Sequence, residues 1–177
     1  MYYCLSVLTQ VQLEQAIKLA DHGLIKSLID RGASLEGSLV IAAEFHKSTD
    51  TIKFLLTQGA KDINSSALSR AACSNKIDIA EVLLAYAGEP TGSDSSEALS
   101  MAAVMGHLDM VNLLLDRGFD INARDDLQQT PLLTACRADR PHLKVIQTLL
   151  ERRADITAQD VKLQQTPYKG GDTPCKL

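Results

Sequence analysis

Along the chain a leucine recurs three residues ahead of a small or apolar pair: Leu13 before Ala16-Ile17, Leu39 before Ala42-Ala43, Leu68 before Ala71-Ala72, Leu99 before Ala102-Ala103, and Leu132 before Ala135-Cys136. Successive leucines stand 26, 29, 31 and 33 positions apart. A second pattern follows each pair, in which two spacers separate a first slot from an apolar residue and two more precede an apolar pair. The fillings are His22, Ile25, Leu28 and Ile29; Thr49, Ile52, Leu55 and Leu56; Ile77, Ala80, Leu83 and Leu84; Leu108, Val111, Leu114 and Leu115; and Leu143, Ile146, Leu149 and Leu150. Spacing of i, i+3, i+6, i+7 gathers these side chains on one helical face. Each unit is therefore predicted to be two helices, and a period between about 20 and 50 residues means stacked units rather than a globular domain.

The small pairs have a physical reason. Closely stacked helices leave room for a methyl group, whereas a larger chain forces overpacking that costs about 1 to 3 kcal/mol. Each second helix then runs into a terminating glycine, Gly32, Gly59 or Gly118, which can take the left-handed conformation that closes a helix. The third unit has Ala87 and then Gly88 in that slot, and the fifth has Arg153, so those two exits are expected to differ. Helical phase puts Asn112 on the outer side of its helix.

The segment GHLDMVNLLLDRGFDINARD, Gly106 to Asp125, and the TPLL at Thr130 to Leu133 resemble the ankyrin repeat. Five copies cover Val11 to Ala158. The resemblance implies an all-α ankyrin-repeat solenoid of helix-turn-helix units with short β-hairpin fingers between them. Thr130 is suited to cap a first helix, Pro131 to its first turn, and Leu132 to the core. The Thr-Pro start is replaced by Gly37-Ser38, Ser66-Ala67 and Glu97-Ala98, so those helices should be less firmly capped. Six residues separate Gly32 from Leu39, against thirteen between Gly118 and Leu132, which predicts plain turns for the early fingers. The polar run GEPTGSDSS, Gly88 to Ser96, reads as a flexible finger.

Residues 1–158 are thus expected to form the repeat domain, and 159–177 a truncated sixth repeat or a flexible tail. VKLQQTPY at Val161 to Tyr168 echoes DLQQTPLL at Asp126 to Leu133 before KGGDTPCKL closes the sequence.

Composition narrows the function. A net charge of -4 with scattered Lys and Arg lacks the basic stripe of a nucleic-acid binder. The one cluster, Arg152-Arg153, reads as structural at a helix end. No run reaches the roughly 18 apolar residues of a membrane helix, and Met1 to Leu8 lacks the basic flank of a signal peptide. Cys4, Cys73, Cys136 and Cys175 have no metal-ligand spacing and are expected to be free thiols. A monomer in the cytoplasm or nucleus follows as the expectation.

Catalysis needs converging groups, yet the titratable residues fall on separate units. There is no P-loop and no Gly-x-Gly-x-x-Gly. His22, His46, His107 and His142 fall in or beside turns, Cys73 and Cys136 fall in or beside small columns, and Asp109, Asp116, Asp120, Asp125 and Asp126 match polar turn positions. No catalytic, cofactor or metal site is expected.

The resemblance implies a protein partner, contacted by fingers and by the two residues after each small pair: Glu44-Phe45, Cys73-Ser74, Val104-Met105 and Arg137-Ala138. Phe45, Val104 and Met105 are apolar at places the scaffold leaves exposed, and Arg137 adds a directional donor. The competing reading is that short fingers let the first helices sink and bury them. Arg124, Asp126, Leu127 and Gln129 would face the partner from the long finger. The expected function is a non-catalytic adaptor or inhibitor, with a substrate-recruiting arm of a larger enzyme as the alternative.

Overall fold

The computed structural model describes residues 2–46, 48–62, 65–87, 96–125, 127–138 and 140–157, without the side chains of 2–8 and 87. The runs 88–95 and 158–177, which hold most of the expected flexible finger and the tail, lie outside them. Among the described residues are ten helices and no strand. They alternate as first and second members of each repeat: α1 (Tyr2–Lys18), α2 (His22–Asp30), α3 (Ser38–Phe45), α4 (Asp50–Thr57), α5 (Ser66–Cys73), α6 (Ile77–Ala87), α7 (Ser96–Met105), α8 (Leu108–Asp116), α9 (Pro131–Arg137) and α10 (Leu143–Glu151).

Two compact units divide the chain, Met1–Gly88 and Glu89–Leu177. Within the first, α1 lies on α3 and α3 on α5; within the second, α7 lies on α9. Second helices make the other layer, α4 against α6 and α8 against α10. The leucine column is buried throughout, and Ala16, Ile17, Ala42, Ala43, Ala71, Ala72, Ala102 and Ala103 are fully enclosed. A further buried column was not visible in the spacing: Thr51, Ile79, Met110 and Val145, each one residue ahead of an expected core position. Thr51 meets His22 of the preceding repeat (Oγ1 to Nε2, 3.2 Å). Asn112, expected on the outer side, is half-buried and accepts a hydrogen bond from Arg152 (3.3 Å). Arg152 also pairs with Asp116 at 2.5 Å, tying α10 to α8.

Helices this short leave a large share of their backbone groups without an internal partner. At the C-terminal ends, Gly32, Gly59 and Gly118 have φ of +91°, +91° and +85°. The following amide of each returns to the last turn, Ala33 to Leu28 O, Ala60 to Leu55 O and Phe119 to Leu114 O. Arg153 makes the same exit at φ +66°, with Ala154 N donating to Leu149 O at 2.9 Å. The expected difference at the fifth exit is therefore absent, because the bond pattern fixes the conformation whatever the residue.

At the N-terminal ends, Thr130 is the extended cap of α9, its hydroxyl accepting from Leu133 N at 3.4 Å, with Pro131 in the first turn. Helix α3 begins after Gly37 with no side-chain cap, as its sequence suggested. Helix α5 does not follow that expectation. The carboxylate of Asp62 reaches in from the preceding loop and accepts from Ala67 N (2.8 Å) and Leu68 N (3.0 Å). Burial pushes the Asp62 carboxyl above its ordinary value, and the two amide bonds oppose this only in part.

The turn residues bind one repeat to the one before. His46 donates through Nε2 to Ile17 O, and Lys76 Nζ donates to Ala43 O and Glu44 O, both at 2.6 Å. His22 stacks on Phe54 with 4.5 Å between ring centroids. The His142 ring covers Gly106 so closely that a methyl group there would overlap it. These three histidines are packing elements. Cys73 is outside any disulfide, whereas Cys136 is disulfide-bonded, which corrects the expectation for that residue.

Two outcomes follow. Arg153→Gly should raise stability by about 0.5 to 1 kcal/mol, because a side chain in the left-handed region is strained and glycine is not; a lower urea midpoint would contradict this. For Asp62 the folded state holds the proton more tightly than the unfolded chain, so its contribution is largest below the ordinary value of 3.8 and falls as pH rises through the raised one. Wild type should lose stability relative to Asp62→Asn over that rise, and denaturant titrations of both proteins from pH 3.5 to 7 measure the difference.

Candidate interaction surface

Helix α7 buries Ala98, Leu99, Ser100, Ala102 and Ala103, which leaves Glu97, Met101 and Met105 as one exposed row at intervals of four residues. Met105 is 45% exposed and Met101 37%, with Val104 half-buried beside them. Two unbranched thioether chains side by side form an apolar strip that adapts to a partner's shape. Arg137 is exposed on α9, the neighbouring first helix, at the repeat position that Val104 holds on α7.

The long finger before α9 is a hydrogen-bonded turn rather than a pair of strands, which corrects the hairpin expectation among the described residues. Asp125 N donates to Gln129 O (3.0 Å) and Gln128 N to Asp125 O (2.8 Å). The Asp125 carboxylate accepts from Leu127 N and Gln129 N. Arg124 Nη1 donates to Gln128 O at 2.7 Å, so this exposed guanidinium braces the finger. Leu127 stands exposed at the tip, Gln129 is half-buried, and Asp126 lies outside the described residues.

The next finger is tied to this one, since Asn122 Oδ1 accepts from Asp155 N at 2.8 Å. Asp155 in turn accepts from the hydroxyl and the amide of Thr157, and the hydroxyl bond in particular holds its carboxyl below the ordinary value. Asp120 uses its carboxylate the same way on Asn122 N. Asp120 and Asp125 are thus spent on turns and Asp116 on Arg152, and among the described residues no group of His, Cys, Asp and Glu is placed to hold a metal.

Phe45 belongs to the first unit. It is 53% exposed, and Lys18 Nζ stands over its ring at 4.8 Å from the centroid, a cation–π contact. Phe45 and Met105 have not sunk into the core, while Val104 is partly covered. The structure brings Val104, Met105, Arg124, Leu127 and Arg137 into one compact unit and leaves Phe45 in the other. Met101 was missed by the sequence reading; its position four residues before Met105 was the available signal. No helix is long and apolar enough to cross a membrane among the described residues.

Paired helices, a small-residue seam and fingers after left-handed exits define a helical repeat protein. Residues 87–160 match the model for ankyrin repeats in three copies. The ankyrin repeat domain of human ASB11 superposes with a TM-score of 0.65 at 23% identity, over 82% of this chain and 71% of that one. Residues 87–160 are thus ankyrin repeats, and the chain shares the fold of an ankyrin repeat domain. It is 35% identical over 106 residues to the ankyrin repeat and KH domain-containing protein mask of Drosophila melanogaster, which is 53% of this chain and 3% of that protein. It is 44% identical over 57 residues, 32% of this chain and 11% of the relative, to the "Probable E3 ubiquitin-protein ligase XBOS33" of Oryza sativa subsp. japonica. The chain therefore spans a small part of the curated relatives it matches.

One feature of α7 beneath the strip is testable. Ser69 and Ser100, equivalent positions one residue after the core leucine, bury their hydroxyls without a hydrogen-bond partner. An unsatisfied buried hydroxyl is costly, and alanine is the better helix former. Ser100→Ala should raise the unfolding free energy by about 1 kcal/mol; a loss in denaturant titration would mean that the hydroxyl is bonded.

Proposed function

We propose that this chain binds a partner protein through the exposed side of its first helices and the neighbouring finger, and that it acts as a non-catalytic adaptor or inhibitor. Ankyrin repeats are in general protein–protein interaction modules. The observation that carries the reading is the exposed Met101–Met105 strip with Val104 beside it. An apolar strip facing solvent gains free energy when a partner covers it. Arg137 and Leu127 extend the surface, while Arg124 holds the finger in shape.

A second reading is a substrate-recruiting arm of a larger enzyme. It is favoured by the 44% identity to a protein named as a probable ubiquitin ligase. The mass of the native polypeptide in cells separates the two readings: a mass near 19.2 kDa fits the adaptor, and a much larger one fits the arm.

A pull-down with mass spectrometry identifies the partner, and binding isotherms and melts of variants then test the surface. Met105→Glu should weaken binding at least tenfold, about 1.4 kcal/mol, because a carboxylate would be buried unpaired at the interface. Stability should move by less than about 0.5 kcal/mol, since the side chain is exposed. Lys144→Glu, on the exposed side of α10, should change neither. Unfolding by Met105→Glu would return Met105 to the core, and unchanged affinity in a folded variant would place the binding site elsewhere.

A further inference from the structure

Methionine is concentrated in one repeat. Of the four in the chain, three are Met101, Met105 and Met110, and Met1 lies outside the described residues. Their settings differ: Met110 on α8 is wholly buried, whereas Met101 and Met105 on α7 are exposed. At the place of Met101, two residues after the core leucine, the other repeats carry Gln15, Ile41, Arg70 and Thr134. At the place of Met105 they carry Leu19, Phe45, Ser74 and Ala138. The scaffold therefore accepts many side chains at both places and requires a thioether at neither.

An interval of four residues sets the two exposed thioethers side by side, with about 5 to 6 Å between their Cβ atoms. A thioether sulfur is open to two-electron oxidants where solvent reaches it. Its lone pair attacks one oxygen of a peroxide, the S–O bond forms and the O–O bond breaks. The departing hydroxide takes the proton of the transferred oxygen and leaves as water, so sulfur loses the two electrons that the peroxide gains. The sulfoxide is polar where the thioether was apolar. Two neighbouring conversions thus put two hydrogen-bond acceptors on the strip, and covering them with an apolar surface carries a desolvation cost that the thioethers do not impose. A dithiol reverses the step, yielding the thioether, a disulfide and water.

We propose that Met101 and Met105 are a paired modification site for oxidants of the peroxide class, and that their reversible conversion to sulfoxides switches the strip from apolar to polar while the fold stays intact. The consequence for a partner rests on the reading of this strip as the binding surface. Buried Met110 is the internal reference, since its sulfur shares the repeat and lacks the access.

Peptide mapping of the folded protein during treatment with hydrogen peroxide should show Met101 and Met105 oxidised at least about fivefold faster than Met110, a difference that vanishes in urea. Equal rates in the folded chain overturn the proposal. Protein oxidised at Met101 and Met105 alone should keep its helical circular dichroism and melting midpoint and elute earlier from phenyl-agarose. Dithiothreitol with methionine sulfoxide reductases should restore the retention. Loss of the helical signal at that stage, or unchanged retention, overturns the proposal as well. The double variant Met101→Leu with Met105→Leu keeps the strip apolar without sulfur and should hold its retention through both treatments. A shift equal to that of wild type would assign the effect to the cysteines and overturn the assignment. None of these readouts involves a partner, so their failure is separate from failure of the binding surface, which Met105→Glu decides. With the partner recovered by pull-down, oxidised wild type should bind at least about tenfold more weakly than reduced, whereas the oxidised double variant should bind as its untreated form does. Equal binding by oxidised and reduced wild type, where Met105→Glu does weaken binding, overturns the switch.

Discussion

The distance between neighbouring first helices sets the rest of this architecture. The pairs Ala42-Ala43, Ala71-Ala72 and Ala102-Ala103 are wholly enclosed, so nothing larger than a methyl group separates one helix from the next at those levels. Helices of seven to ten residues, such as α9 and α7, are too short to persist alone in water. They hold because a leucine and a small pair on each are buried by neighbours. Stability is accordingly a property of stacking, with little contributed by any one helix.

Short elements also multiply helix ends, and the chain spends most of its special residues there. Left-handed exits recover the last carbonyls, and the first amides are recovered by two routes, Thr130 and Asp21 as N-caps and Asp62 from the preceding loop. His46 and Lys76 carry the same task across repeats by donating to carbonyls at the end of the preceding first helix. One set of hydrogen bonds thus completes the local helix and couples it to its neighbour. Asp62 illustrates the cost of such a device, because capping from a partly buried position raises its affinity for a proton.

Against this frame of committed groups, the residues left over stand out. Met101 and Met105 have no structural task that requires exposure, and Phe45 shares its ring face with Lys18. Arg124, by contrast, is exposed but engaged in the finger. A polar group at a repeat surface is often part of the scaffold, whereas an apolar one in the same setting calls for a covering surface.

The sequence by itself determined the repeat, the two helices of each unit, the small-residue seam and the left-handed glycine exits. All of these rest on local spacing or on the conformational freedom of a single residue, so a linear reading suffices. It also located Phe45 and Met105 on the exposed side, because their columns follow from the seam. Tertiary structure alone decided what depends on partners distant in sequence. The buried column of Thr51, Ile79, Met110 and Val145, the half-burial of Asn112 under Arg152, and the Asp62 cap on α5 are of this kind. Arg153 belongs there too: its left-handed φ is imposed by returning backbone bonds, a constraint that residue identity opposes and only the closed turn enforces.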